Sequence, residues 1–123
     1  MLNTFQDLLV SAYYYILIAD GMVDPKELTF GNHMIAKEGI DKSDFSDKLD
    51  DLSNQETNVV RDYLKEGLKN ESRENQLKIV AYMVKIANAD GNRDPHEMTS
   101  IQDLTKDLNL HVNDIIQAKT KLG

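Results

Sequence analysis

One decapeptide pattern occurs twice in the chain, and it constrains the fold more than any other feature. The stretch ADGMVDPKEL covers residues 19–28, and ADGNRDPHEM follows seventy positions later over residues 89–98. Six of the ten positions are identical, and Leu28 is replaced by the similar Met98. A repeat at a fixed offset indicates that one supersecondary unit is used twice.

Each copy has the residues of a corner between two helices. Gly21 follows an apolar segment, where a left-handed residue commonly ends a helix. Asp24 suits the N-cap of the next helix, Pro25 its first position, and Glu27 the third position of a capping box. The second copy has the same four residue types seventy positions later. The pattern therefore predicts two helix-turn-helix corners.

The rest of the chain is typical of an all-α protein. Both prolines lie inside the repeated pattern, and apolar residues recur elsewhere at three- and four-residue spacing. No stretch alternates between polar and apolar residues as a strand would. We therefore predict a bundle of about seven helices, which begin near Thr4, Asp24, Ser43, Asn54, Arg73, Asp94 and Val112.

The length of 123 residues predicts a single domain over residues 1–123. The seventy-residue offset extends beyond the decapeptide, because apolar residues match apolar residues over roughly thirty positions. We expect repeat units at about 4–45 and 73–115, with a helical insert at about 46–72. The domain is then a bundle with an internal helix-turn-helix pseudo-repeat.

Composition excludes several classes of function. The net charge is −7, so the basic surface that nucleic-acid binding requires is absent, and a cation or a protein partner fits better. Without cysteine the chain has no thiolate metal site. The apolar run Leu8–Ala19 is too short to span a bilayer, and no basic residue precedes Lys26 as in a signal peptide. We therefore expect a cytoplasmic protein.

Two aspartates do not fit a purely structural account of the repeat. Asp20 and Asp90 each end an apolar helix, where a carboxylate meets the negative end of the helix dipole. From Asp20 to Glu27 the residues match the second half of an EF-hand calcium loop. Ile16 and Ile18 stand where the first ligands of that loop would be, so an EF-hand is excluded.

A divalent cation is one explanation of the acidic turns. One turn offers too few oxygen ligands for Ca²⁺ or Mg²⁺, but two turns packed about a pseudo-two-fold axis would offer six carboxylates, with waters completing the shell. The candidate ligands are Asp20, Asp24, Glu27, Asp90, Asp94 and Glu97. The alternative is that these acids are structural helix caps and bind no metal.

The repeat also predicts a surface for a protein partner. Tyr15 corresponds to Lys85 and Ile18 corresponds to Asn88, which are polar positions in the second unit. If the two units pack alike, Tyr15 and Ile18 are exposed on one face and contact a partner. The alternative is that the helix at Ser43 or the chain end covers them.

The two motifs together resemble the TerB-like family, which is named for tellurite resistance. The resemblance is carried by Ala-Asp-Gly, then Asp and Glu three residues apart, in both copies, and it extends from about Phe5 to Leu110. It implies an all-α fold of about seven helices and a cytoplasmic protein linked to stress or tellurite resistance. It also implies peripheral membrane association through a partner and divalent-metal binding by the six acids above.

We therefore expect a non-enzymatic TerB-like module that binds a divalent cation and acts as a stress-related adaptor. The alternative is a metal-independent interaction domain whose acidic turns are helix caps. Catalysis is disfavoured because neither a nucleophile–base pair nor a phosphate-binding loop stands near the paired carboxylates.

Overall fold

The structure is a computed structural model that describes residues 2–18, 25–88 and 95–122, with the backbone alone described for residues 95–98. Seven α-helices make up the described part, and no strand occurs in it. The predicted all-α fold is thus confirmed. The helices are α1 (Thr4–Ile18), α2 (Pro25–Lys37), α3 (Lys42–Ser53), α4 (Thr57–Lys69), α5 (Arg73–Ala87), α6 (Pro95–Thr105) and α7 (Val112–Lys121).

Side-chain caps hold the first turns of α3 and α5, as the Asn3 side-chain oxygen does for α1 by accepting a hydrogen bond from the Gln6 amide at 2.8 Å. The Asp41 carboxylate accepts hydrogen bonds from the amides of Ser43 and Asp44, at 2.8 and 3.3 Å, ahead of α3. The Ser72 hydroxyl oxygen accepts from the amide of Asn75, at 3.2 Å, ahead of α5. Each cap satisfies amide groups that lack a partner within the helix, so the chain enters each of these helices at a fixed residue.

Two central helices, α1 and α5, carry most of the core. α1 packs against α3, α4, α5 and α6, whereas α5 packs against α1, α2, α6 and α7. Both are buried on more than one side, as their apolar sequences require. The buried amide of Gln76 donates to the carbonyl of Leu68 at 2.7 Å, which joins α5 to the end of α4.

Two of the helix starts recur at the offset seen in the sequence. Pro25 and Pro95 begin α2 and α6, and Lys42 and Val112 begin α3 and α7, each pair seventy positions apart. Two of the packing contacts follow the same pairing. The contact of α1 with α3 matches that of α5 with α7, and the contact of α2 with α5 matches that of α6 with α1. This arrangement pairs α1 with α5, α2 with α6 and α3 with α7.

The two left-handed residues of the described chain are also seventy positions apart. Gly39 has a φ of 68° and Asn109 a φ of 55°. The Ile40 amide donates to the Ile35 carbonyl at 2.8 Å, which is the bond of a Schellman motif with Gly39 as its left-handed residue. Glycine and asparagine are the residues that adopt this conformation most readily.

The pairing leaves α4 as the one described helix without a counterpart. The expected insert at 46–72 is therefore longer than the unmatched helix, because α3 lies within the paired part. The last turns of α3 and α7 do not match in residue type, since Leu49 of α3 corresponds to Lys119 of α7. Among the described helices, none is long and apolar enough to cross a membrane.

Candidate functional site

The direction of α2 relative to α1 follows from two contacts. The Tyr13 hydroxyl donates to the carbonyl of Glu27 at 3.1 Å, near the start of α2. The Gln6 amide donates to the carbonyl of Glu38 at 3.2 Å, just past its end. Residues later in α1 thus lie beside residues earlier in α2, so the two helices are antiparallel.

Contacts between α2 and α5 give the direction of α5. The rings of Phe30 and Tyr82 are 6.2 Å apart, and Lys78 Nζ lies 2.8 Å from Glu38 Oε1. Helix α2 is therefore antiparallel to α5 as well, and α1 and α5 run in the same direction. In the second unit, the Arg73 guanidinium at the start of α5 donates to the carbonyls of Leu108 and Asn109, past the end of α6.

These orientations bring four helix ends to one end of the bundle. They are the C-terminal ends of α1 and α5 and the N-terminal ends of α2 and α6. The two acidic segments, 19–24 and 89–94, connect these ends in the sequence. The described residues that flank both segments therefore lie on the same side of the molecule.

Of the predicted metal ligands, Glu27 alone has a described side chain. Asp20, Asp24, Asp90 and Asp94 lie outside the described residues, as does the side chain of Glu97. Glu27 is 4% exposed in the first turn of α2, where the helix dipole favours a carboxylate. Burial, and then the charge of Glu27, raise the pKa of Tyr13 to about 12.

No group of three or more acidic or histidine side chains that could hold a metal occurs among the residues described. Five of the six predicted ligands have side chains outside the described residues, so the predicted metal site remains a prediction.

The predicted exposure of Tyr15 is wrong. Its side chain is 8% exposed, and Ile18 is half-buried. Tyr15 shares a side-chain hydrogen bond with Ser100 of α6 and lies near Arg61 of α4. Burial first, and then the charge of Asp103, raise the pKa of Tyr15. The groups that interact with Tyr15 belong to α4 and α6.

The sequence interpretation missed a groove beside α5. Two cavities of about 430 and 650 Å³ open between α2, α5 and α7, and Lys37 and Leu122 line both. We call them together the α2/α5/α7 groove. One signal pointed to it: Lys85, which lines the groove, is the counterpart of the buried Tyr15.

A hydrogen-bonded acid fixes one wall of the α2/α5/α7 groove. The Glu38 carboxylate accepts a hydrogen bond from the Tyr82 hydroxyl and forms an ion pair with the Lys78 ammonium. Burial, followed by the hydrogen bond to Glu38, raises the pKa of Tyr82. The Lys37 ammonium donates to the carbonyl of Leu122, which joins α2 to the end of α7. The groove walls are therefore held by defined polar contacts.

Comparison with known proteins gives one result. The family model described as "Tellurite resistance protein TerB" matches residues 6–120, which is nearly the whole chain. No match was found in the searches of curated proteins and of solved structures. The matched range includes all seven helices except two residues at the start of α1 and one at the end of α7. With its repeated acidic pattern and its seven-helix fold, the chain belongs to the TerB family.

Proposed function

We propose that this TerB-family protein is a non-enzymatic helical module that binds Ca²⁺ or Mg²⁺ through its two acidic turns. The observation that supports the proposal is the common location of the helix ends that flank both turns. If the turns lay at opposite ends of the bundle, their carboxylates would form two separate sites with too few ligands each.

The helix ends contribute to the electrostatics of such a site. The C-terminal ends of α1 and α5 carry partial negative charge and favour a cation. The N-terminal ends of α2 and α6 carry partial positive charge and favour the acids Asp24, Glu27, Asp94 and Glu97. A cation bound among these acids would offset the mutual repulsion of the six carboxylates in a chain of net charge −7.

The proposed biological role is that of an adaptor in stress or tellurite resistance, as the description of the family indicates. A change in cation occupancy would alter the acidic end of the bundle, and a partner protein would bind one of the two states.

Thermal unfolding of the EDTA-treated protein, with and without added Ca²⁺, Mg²⁺ or Mn²⁺, tests the cation site. A cation at a hundred times its dissociation constant stabilises the folded state by about 2.7 kcal/mol. For a domain of this size, that energy raises the midpoint of unfolding by about 10 °C. We expect this shift in the natural protein and its loss in the Asp20→Asn/Asp90→Asn variant.

A matched control removes the same charge elsewhere. The Asp50→Asn/Asp107→Asn variant changes two exposed aspartates outside the repeated turns, and it should retain the shift. If the natural protein is folded and no cation changes its midpoint, the proposal fails. If both variants lose the shift equally, the cation acts on total charge and not on a site.

A second candidate function is a metal-independent interaction domain, and the burial of Glu27 favours it. A carboxylate that is 4% exposed has little access to a solvent cation, and its position in the first turn of α2 is that of a structural acid. This function predicts that Glu27→Gln lowers stability equally with EDTA and with Ca²⁺. The cation site predicts a larger loss when Ca²⁺ is present.

A further inference from the structure

The unpaired helix α4 gives a template for what the second unit lacks. α4 packs on α1 and α6, and the pairing of helices makes α5 and α2 their counterparts. The position related to that of α4 therefore lies against α5 and α2. This is the position of the α2/α5/α7 groove.

Individual contacts support this correspondence. Tyr63 donates to Asp7, Gly67 lies against Leu8, Arg61 lies near Tyr15, and Lys65 pairs with Asp103. The residues that receive α4 are Asp7, Leu8, Tyr15 and Asp103. Their counterparts seventy positions away all line the groove, and they are Leu77, Lys78, Lys85 and His33.

The groove has the apolar surface that a helix would cover. Phe30, Leu77 and Ala118 are half-buried along its walls, and each is exposed to the cavities. In the first unit, the corresponding surface is covered by the apolar stripe of α4, in which Val60, Leu64 and Leu68 are fully buried. An amphipathic helix is therefore the element that matches the shape of the groove.

The cavity beside Phe30 is lined by His33, Lys37 and Lys85 without an acid among its described lining residues, whereas the cavity beside Leu77 also holds Glu38, Glu74 and Asp114. Lys65 Nζ lies 3.6 Å from Asp103 Oδ2. The counterpart of Asp103 is His33, one turn before Lys37, and both line the groove. Lys85 is the counterpart of Tyr15, which lies near Arg61 of α4. A helix in the groove would meet basic groups where α4 has its own basic residues.

We propose that the α2/α5/α7 groove binds an amphipathic helix of another protein that carries acidic residues one turn apart. These acids take the places of Arg61 and Lys65 and face Lys85 and the pair His33 and Lys37. The proposal concerns a different face from the cation site and does not depend on it. The α4 helix of a second copy does not fit as the occupant, because its apolar face is buried in its own bundle.

The test uses peptides built on the template itself, with the full-length protein in EDTA. The acidic probe is a labelled peptide with the sequence of residues 56–70 that carries Arg61→Glu and Lys65→Glu. The control probe keeps the natural sequence. We expect fluorescence anisotropy to show that the acidic probe binds about tenfold more tightly at low salt, since two ion pairs change sign.

A charge swap in the protein should reverse this preference. In the His33→Asp/Lys85→Glu variant, the natural peptide should bind more tightly than the acidic one. The Lys42→Glu/Lys69→Glu variant changes two exposed lysines outside the groove, and it should keep the original preference. The single Lys85→Glu variant provides the same test, with a smaller effect, if the double variant does not fold.

Three outcomes would overturn the proposal. They are the absence of binding by the acidic probe, equal binding of the two probes, and an unchanged preference in the charge-swap variant. Sedimentation of the natural protein tests the remaining alternative, which is that a second copy of the chain occupies the groove. Self-association that the Lys85→Glu variant abolishes would identify a second copy, not a partner helix, as the occupant.

Discussion

Substitutions at Gly39 measure the energetic requirement for a left-handed residue at the end of α2. Gly39 has a φ of 68°, and a Cβ atom added there would meet no heavy atom within 4 Å. A side chain at this position therefore introduces no clash with its surroundings. Any loss of stability comes from the backbone conformation alone.

The magnitude follows from two opposing terms. A residue with a Cβ atom pays about 1 to 2 kcal/mol to adopt the left-handed conformation. Replacing glycine by alanine also restricts the unfolded chain, which returns about 0.4 to 1 kcal/mol. Gly39→Ala should therefore lower the free energy of unfolding by about 0.5 to 1 kcal/mol. Gly39→Asn should cost less, because Asn109 adopts a φ of 55° at the corresponding position.

Urea unfolding followed by circular dichroism gives the comparison, provided that the slope against denaturant is unchanged. The matched pair is Asn109→Gly and Asn109→Ala, of which the alanine variant should be the less stable. The reasoning is refuted if Gly39→Ala is as stable as the natural protein. It is also refuted if Gly39→Asn costs as much as Gly39→Ala.

Three further predictions concern tight packing, pH and burial. Gly31→Ala should lower stability by about 1 to 3 kcal/mol in a thermal melt despite a better helix propensity, because its Cβ would collide with the Tyr13 ring. Burial raises the pKa of Tyr13 to about 12. The contribution of its neutral hydroxyl to the free energy of unfolding, on the order of 3 kcal/mol, should therefore be complete below pH 10 and lost as the pH rises through 12. Absorbance at 295 nm should show no ionisation of this tyrosine near pH 10. Tyr15→Ala should cost about 3 kcal/mol in urea unfolding, whereas Val112→Ala, at a position 70% exposed, should change stability by less than about 0.5 kcal/mol.

The fold could be predicted because its signals are local. Each helix start has a cap, a proline or the first residue of an apolar period within one turn, as Ser72 shows ahead of α5. The identical Asp-Pro pairs then fix the offset of the repeat, which recurs in two of the helix starts and in the left-handed residues.

The environment of Tyr15 could not be predicted, because it depends on a helix that belongs to one unit only. Comparing Tyr15 with Lys85 assumed that both units have the same neighbours. The described contacts show that α4 packs on α1 and α6 and that no described helix takes the corresponding place on α5 and α2. A repeat in the sequence predicts shared helices, but it does not predict which faces an unpaired helix covers.

The residues at corresponding positions also argue against the α2/α5/α7 groove as an ordinary solvated surface. Such a surface should be more polar than the covered one, and Lys85 in place of Tyr15 and Lys78 in place of Leu8 fit that expectation. Two other positions show the opposite trend. Asp7 and Lys48, which form an ion pair at 3.2 Å beside α4, correspond to Leu77 and Ala118 in the groove. The groove has apolar residues where the first unit, which α4 covers, has charges, and it has basic residues where the first unit has an aromatic ring. An occupant with an apolar stripe and acidic flanks matches this pattern.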